Sequence, residues 1–500
     1  MQEIELKFQV PLATRAAVDA AVAGSPKARR VRLQASYVDT AKRTLAAAGI
    51  ALRLRREGRQ WVQTLKGGGA GGLARFEHNV ALGSAPALPA IDPRRHAGTP
   101  LGDRLLELLA ADGGGAPAEL FRTDILRRSR VVAAGSGQVE LAFDAGAIHA
   151  AAARLAVCEL EIELVSGSPQ AVIDTARSWV PRHRLWLDLR SKAERGDLLA
   201  RGQTLAPARK AQAVKLAQHV SAAQAWRAVL RECAAQIGIN ASQIGSGEFD
   251  AEHVHQLRIG LRRLRSAVAL FGFVAPEPTF GAAAAAWFRR LGDARDAVVV
   301  DAEFGAALQQ ALHDAGIDAA MPEPAVPDDR DTPVEAVRDG ASQSLLLDLI
   351  AAAHIAPAAG ADGTEPAPPD VTRAVARRLK RWHRRAADDA ANYAEHDDAD
   401  RHRLRKRLKR IRYATEFCAD LFERRALRAY LQPLKALQEQ LGAINDTVVA
   451  MAAFRDAAQT DPHAGFALGW LAARRERLVA EARGPLRRFA KARQFWHKSA

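Results

Sequence analysis

Residues 3–8, Glu-Ile-Glu-Leu-Lys-Phe, alternate charged and apolar side chains without a break. Residues two apart in a strand share a face, so Glu3, Glu5 and Lys7 lie on one side and Ile4, Leu6 and Phe8 on the other. The pattern returns at 159–164, where Glu159, Glu161 and Glu163 oppose Leu160, Ile162 and Leu164. Between these stretches, Arg53 and Arg55 alternate with Leu52 and Leu54, and Thr64 and Lys66 with Gln63 and Leu65. Arg75, Glu77 and Asn79 share a face, and Glu140, Ala142 and Asp144 oppose Val139, Leu141 and Phe143. Gly-rich runs at 67–72 and 113–115 read as turns. Residues 1–203 therefore predict an antiparallel sheet or barrel, with short helices at 11–22, 101–111 and 169–180.

Beyond Leu205 the texture changes to Ala, Arg and Leu at helical spacing. Helices are expected near 211–237, 251–273, 280–296, 299–314, 333–354, 370–394, 399–425, 427–441, 445–458 and 464–490. Residues 321–332 and 355–369 read as Pro-rich linkers. Two sequences recur in the same order. His255-Gln-Leu-Arg258-Ile-Gly-Leu-Arg262-Arg263-Leu-Arg265 matches His402-Arg-Leu-Arg405-Lys-Arg-Leu-Lys409-Arg410-Ile-Arg412, and Leu291-Gly-Asp-Ala-Arg-Asp296 matches Leu441-Gly-Ala-Ile-Asn-Asp446. A duplicated helical bundle follows. The fold class is thus α+β in two modules, with domain limits expected at 1–203, a linker at 204–218, and a helical domain at 219–500 whose halves are 219–354 and 370–500.

The 500 residues hold 72 Lys+Arg against 57 Asp+Glu, a formal +15, which predicts a polyanionic partner. Hydrophobic residues are 48 %, enough for sizeable cores. The three cysteines, Cys158, Cys233 and Cys418, form no CxxC pair, so neither a disulfide framework nor a Cys-based zinc site is expected. The N-terminus carries acids where a signal peptide needs a basic and then an apolar region, and no apolar run reaches membrane-spanning length. A cytoplasmic location is expected.

The strand faces share one composition, which a merely solvated surface does not require. Turned inward, they give a lumen of carboxylates and cations that needs ligands to be tolerated. Carboxylate oxygens suit hard divalent cations, and Arg and Lys suit phosphate oxygens. Together they suit metal-assisted phosphoryl transfer to water.

At this point the chain resembles the CYTH domains, the triphosphate tunnel metalloenzymes, whose ExExK signature stands here as Glu3-Ile-Glu5-Leu-Lys7. Further marks follow in order: Tyr37-Val-Asp39-Thr40, Leu52-Arg53-Leu54-Arg55, Gln63-Thr64-Leu65-Lys66-Gly67, Arg75-Phe-Glu77, Thr123-Asp124-Ile-Leu-Arg127, Glu140-Leu-Ala-Phe-Asp144, the Glu159–Glu163 run, and Ser191-Lys192-Ala-Glu-Arg195-Gly196. The resemblance implies an eight-stranded antiparallel tunnel binding a linear triphosphate with Mg²⁺ or Mn²⁺. It implies Glu3, Glu5, Glu159, Glu161 and Glu163 as metal ligands, and Lys7, Arg53, Arg55, Lys66, Arg75, Arg127, Lys192 and Arg195 as substrate ligands. Glu159, Glu161 and Lys192 would serve the chemistry. Asn79 departs from the pattern, since an acid is expected there.

On a helix, His255, Arg258, Arg262 and Arg265 fall within an arc of about 80°, opposite Leu257, Leu261 and Leu264. His402, Arg405, Lys409 and Arg412 repeat it. Residues 401–412 hold eight Lys/Arg in twelve positions with no acid, and 373–385 hold seven in thirteen. Like charges at i,i+4 repel, and a polyanion removes that cost. This half resembles the CHAD domain, which implies two four-helix bundles around a basic channel for inorganic polyphosphate. His255, Arg258, Arg262, Arg263, Arg265, His402, Arg405, Lys409, Arg410 and Arg412 are the contacts expected. His253 and His255 are about 200° apart on a helix and do not chelate one ion together. The basic helices lack the interleaved aromatics of nucleic-acid readers, and their opposite faces read as bundle core, so neither a specific nucleic acid nor a membrane is expected.

The combined expectation is an inorganic triphosphatase that cleaves tripolyphosphate to pyrophosphate and phosphate, with a CHAD module that binds polyphosphate and recruits the enzyme to polyphosphate granules or feeds it chain ends. Two other readings stand beside it: a tunnel serving an organic triphosphate, as in thiamine triphosphatase, RNA 5′-triphosphatase or class IV adenylyl cyclase, and a polyphosphate-binding scaffold with a weak tunnel.

Overall fold

The computed structural model describes residues 2–24, 28–68, 73–113, 115–274, 279–292, 304–321, 331–355, 370–455, 457–459 and 461–496. The chain divides into two compact units. One comprises Met1–Lys210 with Ala234–Leu257 and Val337–Pro357, the other Ala211–Cys233 with Arg258–Ala336 and Ala358–Ala500. The units thus do not follow chain order.

In the first unit, strands β1 (Gln2–Gln9), β2 (Arg29–Asp39), β3 (Ile50–Glu57), β4 (Gln60–Gly67), β5 (Ala74–Ser84), β6 (Ala118–Ala134), β7 (Gly137–Ala150) and β8 (Ala153–Gly167) form one antiparallel sheet. Its order is β5-β4-β3-β2-β6-β7-β8-β1, and β1 also pairs with β5, which closes the barrel. Closure is confined to the first half of β1 and the start of β5, and the end of β1 takes the two-residue β9 (Trp186–Leu187) as its partner instead. The pairing partners Glu3↔Arg75, Lys66↔Glu77, Tyr37↔Arg53, Arg127↔Asp144, Glu163↔Glu5 and Glu161↔Lys7 share the inward face. The period-two reading of these strands therefore selects one lumen. The lumen is not charged all round: Leu33, Ala35, Tyr37, Phe121 and Ile125 form an apolar cluster, with Tyr37 stacked on Phe121 at 4.6 Å between centroids.

Helices α1 (Arg15–Ala23), α3 (Pro100–Ala111) and α4 (Gln170–His183) accompany the barrel close to the positions expected, and the one-turn α2 (Thr44–Ala47) is an addition to them. α5 (Lys192–Ala200) opens on a capping box, in which Ser191 and Glu194 satisfy each other's backbone N–H groups. Gly196 lets this helix lie on Phe121, whose ring would stand 2.2 Å from an added Cβ. The cap and the close approach together fix where Lys192 enters the lumen.

Among the described residues the remaining α-helices are α6 (Ala222–Gly245), α7 (Ala251–Phe271), α8 (Thr279–Arg290), α9 (Ala306–Asp314), α10 (Pro333–Arg338), α11 (Gly340–His354), α12 (Val371–Ala391), α13 (Asp398–Phe417), α14 (Arg424–Arg455) and α15 (Pro462–Ala490). Three expectations are corrected. The helix expected at 333–354 is two, α10 and α11, because Asp339 takes an extended backbone and caps the second by accepting from the Ala341 and Ser342 N–H groups. The helix expected from 211 begins only at Ala222, because Gln212 and Leu216 give their amides to the side chains of Glu232 and Asp420. The two helices expected at 427–441 and 445–458 are one, since Gly442 does not interrupt the i→i−4 ladder of α14. Most of both linkers, and Asp293 to Asp296 of the first Leu-Gly-Asp segment, lie outside the described residues. Among the described residues no helix is long and apolar enough to cross a membrane.

Candidate functional site

The barrel encloses a cavity of about 910 Å³ lined by Glu3, Glu5, Lys7, Arg53, Arg55, Lys66, Arg75, Arg127, Glu161, Glu163 and Lys192, all expected from the sequence. Lys66 bridges Glu3 at 2.8 Å and Glu77 at 2.5 Å. Burial and the neighbouring Glu5 push Glu3 up to about 8. Glu77 goes the other way: burial raises it, but Lys66 outweighs this and holds it down at about 2. Glu163 is pushed up to about 7 by burial and by Glu5, its cross-strand partner. Glu3, Glu5 and Glu163 thus form a crowded set of hard oxygen donors whose repulsion a divalent cation would relieve. The residues present fit a Mg²⁺ or Mn²⁺ ion.

A second carboxylate group behaves differently. Oxygens of Asp144, Glu159 and Glu161 lie within 4.8 Å of one another, a spacing that would suit a metal. The Lys192 ammonium already reaches all three, at 2.7 Å from Asp144 and 2.8 Å from Glu161. Arg127 bonds Asp144 through Nε at 2.7 Å and also contacts Glu161. Burial raises Glu161, but Arg127 and Lys192 hold it well below the usual carboxylate range. Lys192 is conversely raised, since Asp144, Glu159 and Glu161 overcome its burial. This group is internally neutralised, so Glu161 faces both a cation cluster and the cavity.

Glu159 and Arg195 stand apart from the other expected residues, because neither lines the cavity. Glu159 is fully buried and contacts both Arg195 and Lys192, which outweigh burial and hold it near 2. Breaking one side of a buried pair leaves an uncompensated charge. Glu159→Gln should therefore cost about 3 kcal/mol or more of stability, read by urea unfolding. An unchanged unfolding midpoint would remove Glu159 from this structural role.

Asp144 and Glu77 stand within the sequence motifs, but the motifs alone assign them no role. Their partners, Lys192 and Lys66, emerge only from register and from the placement of α5. Asn79, where an acid is expected, accepts from Thr64 Oγ1 at 2.7 Å and donates to Glu77 Oε1 at 2.8 Å. It orients the acid beside it.

In the second unit the two basic rows meet. Arg262 of α7 and Arg405, Lys409 and Arg412 of α13 lie close enough that, after burial, their repulsion pushes the Lys409 ammonium down to about 6. Arg265 likewise adds to the lowering of Lys406 and Arg410. Arg258 donates to the Leu291 carbonyl at 2.9 Å, and His402 meets Asn445 Oδ1 at 2.6 Å. The Leu-Gly segments thus hold Arg258 of the first basic run and His402 of the second, a role that spacing alone did not reveal. Arg263 turns away from the row: it is buried, with its guanidinium 5.0 Å from the Phe417 ring centroid. Arg410 lies 5.5 Å from the Trp382 centroid. His255 belongs to the first unit.

Residues 1–196 match the family model of the CYTH domain and residues 228–455 that of the CHAD domain. The chain joins a CYTH domain to a CHAD domain. It is similar to an inorganic triphosphatase of Haemophilus influenzae, with 30 % identity over 175 residues, 34 % of this chain and 46 % of that protein. The chain thus spans about half the length of this curated relative. Among solved structures it resembles a CHAD domain from the plant Ricinus communis, at 28 % identity and a TM-score of 0.45, over 57 % of this chain and 97 % of that one. It also resembles a protein of Pyrococcus horikoshii, at 18 % identity and a TM-score of 0.27, over 40 % and 99 % of the respective chains.

Proposed function

We propose that the CYTH tunnel is a metal-dependent inorganic triphosphatase, cleaving tripolyphosphate to pyrophosphate and phosphate, and that the CHAD domain binds inorganic polyphosphate. The observation that carries the reading is the enclosed lumen in which acids from β1 and β8 face cations from β3, β4, β5 and β6. Lys7, Arg53, Arg55, Lys66, Arg75, Arg127 and Lys192 bind the phosphate oxygens and align the chain. Glu3, Glu5, Glu161 and Glu163 hold the divalent cation, which when bound neutralises phosphate charge and lowers the pKa of water. The protein's own part is alignment: water attacks the terminal phosphorus, the bridging P–O bond breaks, and pyrophosphate leaves with the electron pair. The similarity to an inorganic triphosphatase supports this substrate.

The apolar side of the lumen favours a second reading. Leu33, Tyr37, Phe121 and Ile125 offer a surface on which an organic triphosphate could rest its non-phosphate part. Phosphate release from tripolyphosphate, ATP and pyrophosphate, each with and without Mg²⁺ or Mn²⁺, decides between them. Metal-dependent release from tripolyphosphate far above ATP is expected. Preference for ATP would move the assignment to a nucleotide enzyme, and no release from any of the three would leave a polyphosphate-binding scaffold.

The raised carboxyls give a test that needs no turnover. A carboxyl whose folded pKa exceeds its unfolded value contributes stability at low pH that is lost as pH rises through the folded pKa. For Glu163 and Glu3 that loss extends to about 7 and about 8 respectively. A cation bound to the ionised pair restores what was lost. The gain in melting temperature on adding Mn²⁺ should therefore be larger at pH 8.5 than at pH 6. Equal gains at both would place the ion elsewhere.

A further inference from the structure

Beyond β9 the chain continues through Asp188, Leu189 and Arg190, and these residues face two ways. Toward the tunnel, the Leu189 carbonyl accepts from Arg75 Nη2 at 3.0 Å and the Arg190 carbonyl accepts from Lys7 Nζ. The Asp188 N–H also donates to the Lys7 carbonyl at 3.0 Å. On the other side, the Leu187 N–H donates to Gln343 Oε1 at 2.8 Å, and the Leu189 N–H to Ser242 Oγ at 2.9 Å. Arg190 Nη1 reaches Ser246 Oγ at 3.2 Å. Ser242 and Ser246 lie within 234–257 and Gln343 within 337–357, so every one of these contacts is internal to the first compact unit. Yet all three residues fall inside the stretch that matches the CHAD domain.

We infer that Ser242 and Gln343, helical residues of the CHAD stretch, are positioning residues for the triphosphate tunnel: they fix the backbone of 187–190 and through it the two cations Lys7 and Arg75. The inference rests on the tunnel reading above. A buried N–H must find an acceptor, so Leu187 and Leu189 orient toward whatever supplies one. Ser242 and Gln343 are 0 % and 1 % exposed, and neither is free to turn away. Ser242 Oγ donates to the Gly238 carbonyl at 2.7 Å, and Gln343 Nε2 to the Val337 carbonyl at 2.8 Å. Asp188 completes the frame, taking both Arg190 Nε and Nη2 at 2.9 Å and Gln9 Nε2 at 3.0 Å. With the backbone held on one side, the Leu189 and Arg190 carbonyls have one direction left, toward the lumen cations. Gln243, also from this stretch, lines the cavity itself. The tunnel is therefore built from both matched families, and its phosphate grip depends on the second.

The test uses the full chain with Ser242→Ala, Gln343→Ala and the conservative Ser242→Thr. Loosening of two phosphate-facing cations should raise KM for tripolyphosphate about ten-fold in the alanine variants while kcat stays within about two-fold. Ser242→Thr, which keeps the hydroxyl, should restore KM. An independent readout is labelling of Lys7 by a small amine reagent at fixed pH, followed by mass spectrometry; release from the Arg190 carbonyl should speed it several-fold. Folded alanine variants with wild-type KM and wild-type Lys7 labelling would overturn the inference. Should Gln343→Ala fail to fold, Ser242→Ala carries the measurement. If the wild-type chain does not hydrolyse tripolyphosphate, the triphosphatase reading fails alone, and Lys7 labelling in Ser242→Ala still decides the positioning role.

Discussion

Glu161→Ala is expected to lower kcat for tripolyphosphate about a thousand-fold, equivalent to about 4 kcal/mol of lost transition-state stabilisation, while leaving KM unchanged or lower. The split follows from what Glu161 touches. It lines the cavity, faces Lys7 across the strand pair, accepts from Lys192 at 2.8 Å and contacts Arg127. Removing it withdraws an oxygen from the donor set proposed for the cation. It also frees Arg127 and Lys192 from part of their internal pairing, so both cations turn more of their charge toward phosphate. Binding is preserved and chemistry is lost. Polyphosphate binding by the helical domain should be unaffected, because that surface lies in other residues. A variant whose kcat falls less than about ten-fold would show Glu161 to be only a counter-ion for Arg127 and Lys192.

Much of this site could be read from the chain because a barrel turns a one-dimensional pattern into a surface. Once a strand alternates, its inward residues are fixed up to a choice of face, and the charged residues of β1, β3, β5 and β8 all chose the same one. Pairing partners were less accessible. That Lys192 neutralises Asp144, Glu159 and Glu161 depends on the register of β7 with β8 and on Gly196 seating α5 against Phe121. No local pattern encodes either. The apolar side of the lumen was missed because β2 alternates with the opposite sense: Val31, Leu33, Ala35 and Tyr37 line the lumen, whereas Arg30, Arg32, Gln34 and Ser36 fall on the other face. Domain limits were blurred by packing that ignores chain order, since residues 234–257 and 337–357 join the barrel's unit. In the helical half, Arg263 sits in a strongly basic run yet packs on Phe417, which a helical wheel of α7 alone does not show.

Replacing Arg262 and Arg405 together by Met should weaken polyphosphate binding about a hundred-fold at low salt and leave the unliganded protein at least as stable. Methionine keeps the length of the arginine stem, so packing is largely retained while two charges go. Stability is not expected to fall, because these arginines sit in a crowd of like charge: Arg262, Arg405 and Arg412 together help drive Lys409 down to about 6. The carboxylate facing Arg405, Asp446, stands 3.9 Å away. Affinity falls because each cation that meets the polymer releases counter-ions, so the slope of log Kd against log salt should become shallower by about 1.4 when two are removed, by analogy with single-stranded nucleic acid. Lys409 adds a pH signature. With its pKa depressed, it is mostly neutral above pH 7 in the free protein, and a bound polyanion favours its protonation. Wild-type affinity should therefore fall as pH rises through 6 to 8, with a proton taken up on binding. In the double variant that dependence should weaken and move to higher pH, because two of the three repelling cations are gone while burial, the largest cause of the lowering, remains. Titration calorimetry at two pH values and three salt concentrations reads both effects. Unchanged affinity together with an unchanged salt slope would show that the paired basic rows of α7 and α13 are not where polyphosphate binds.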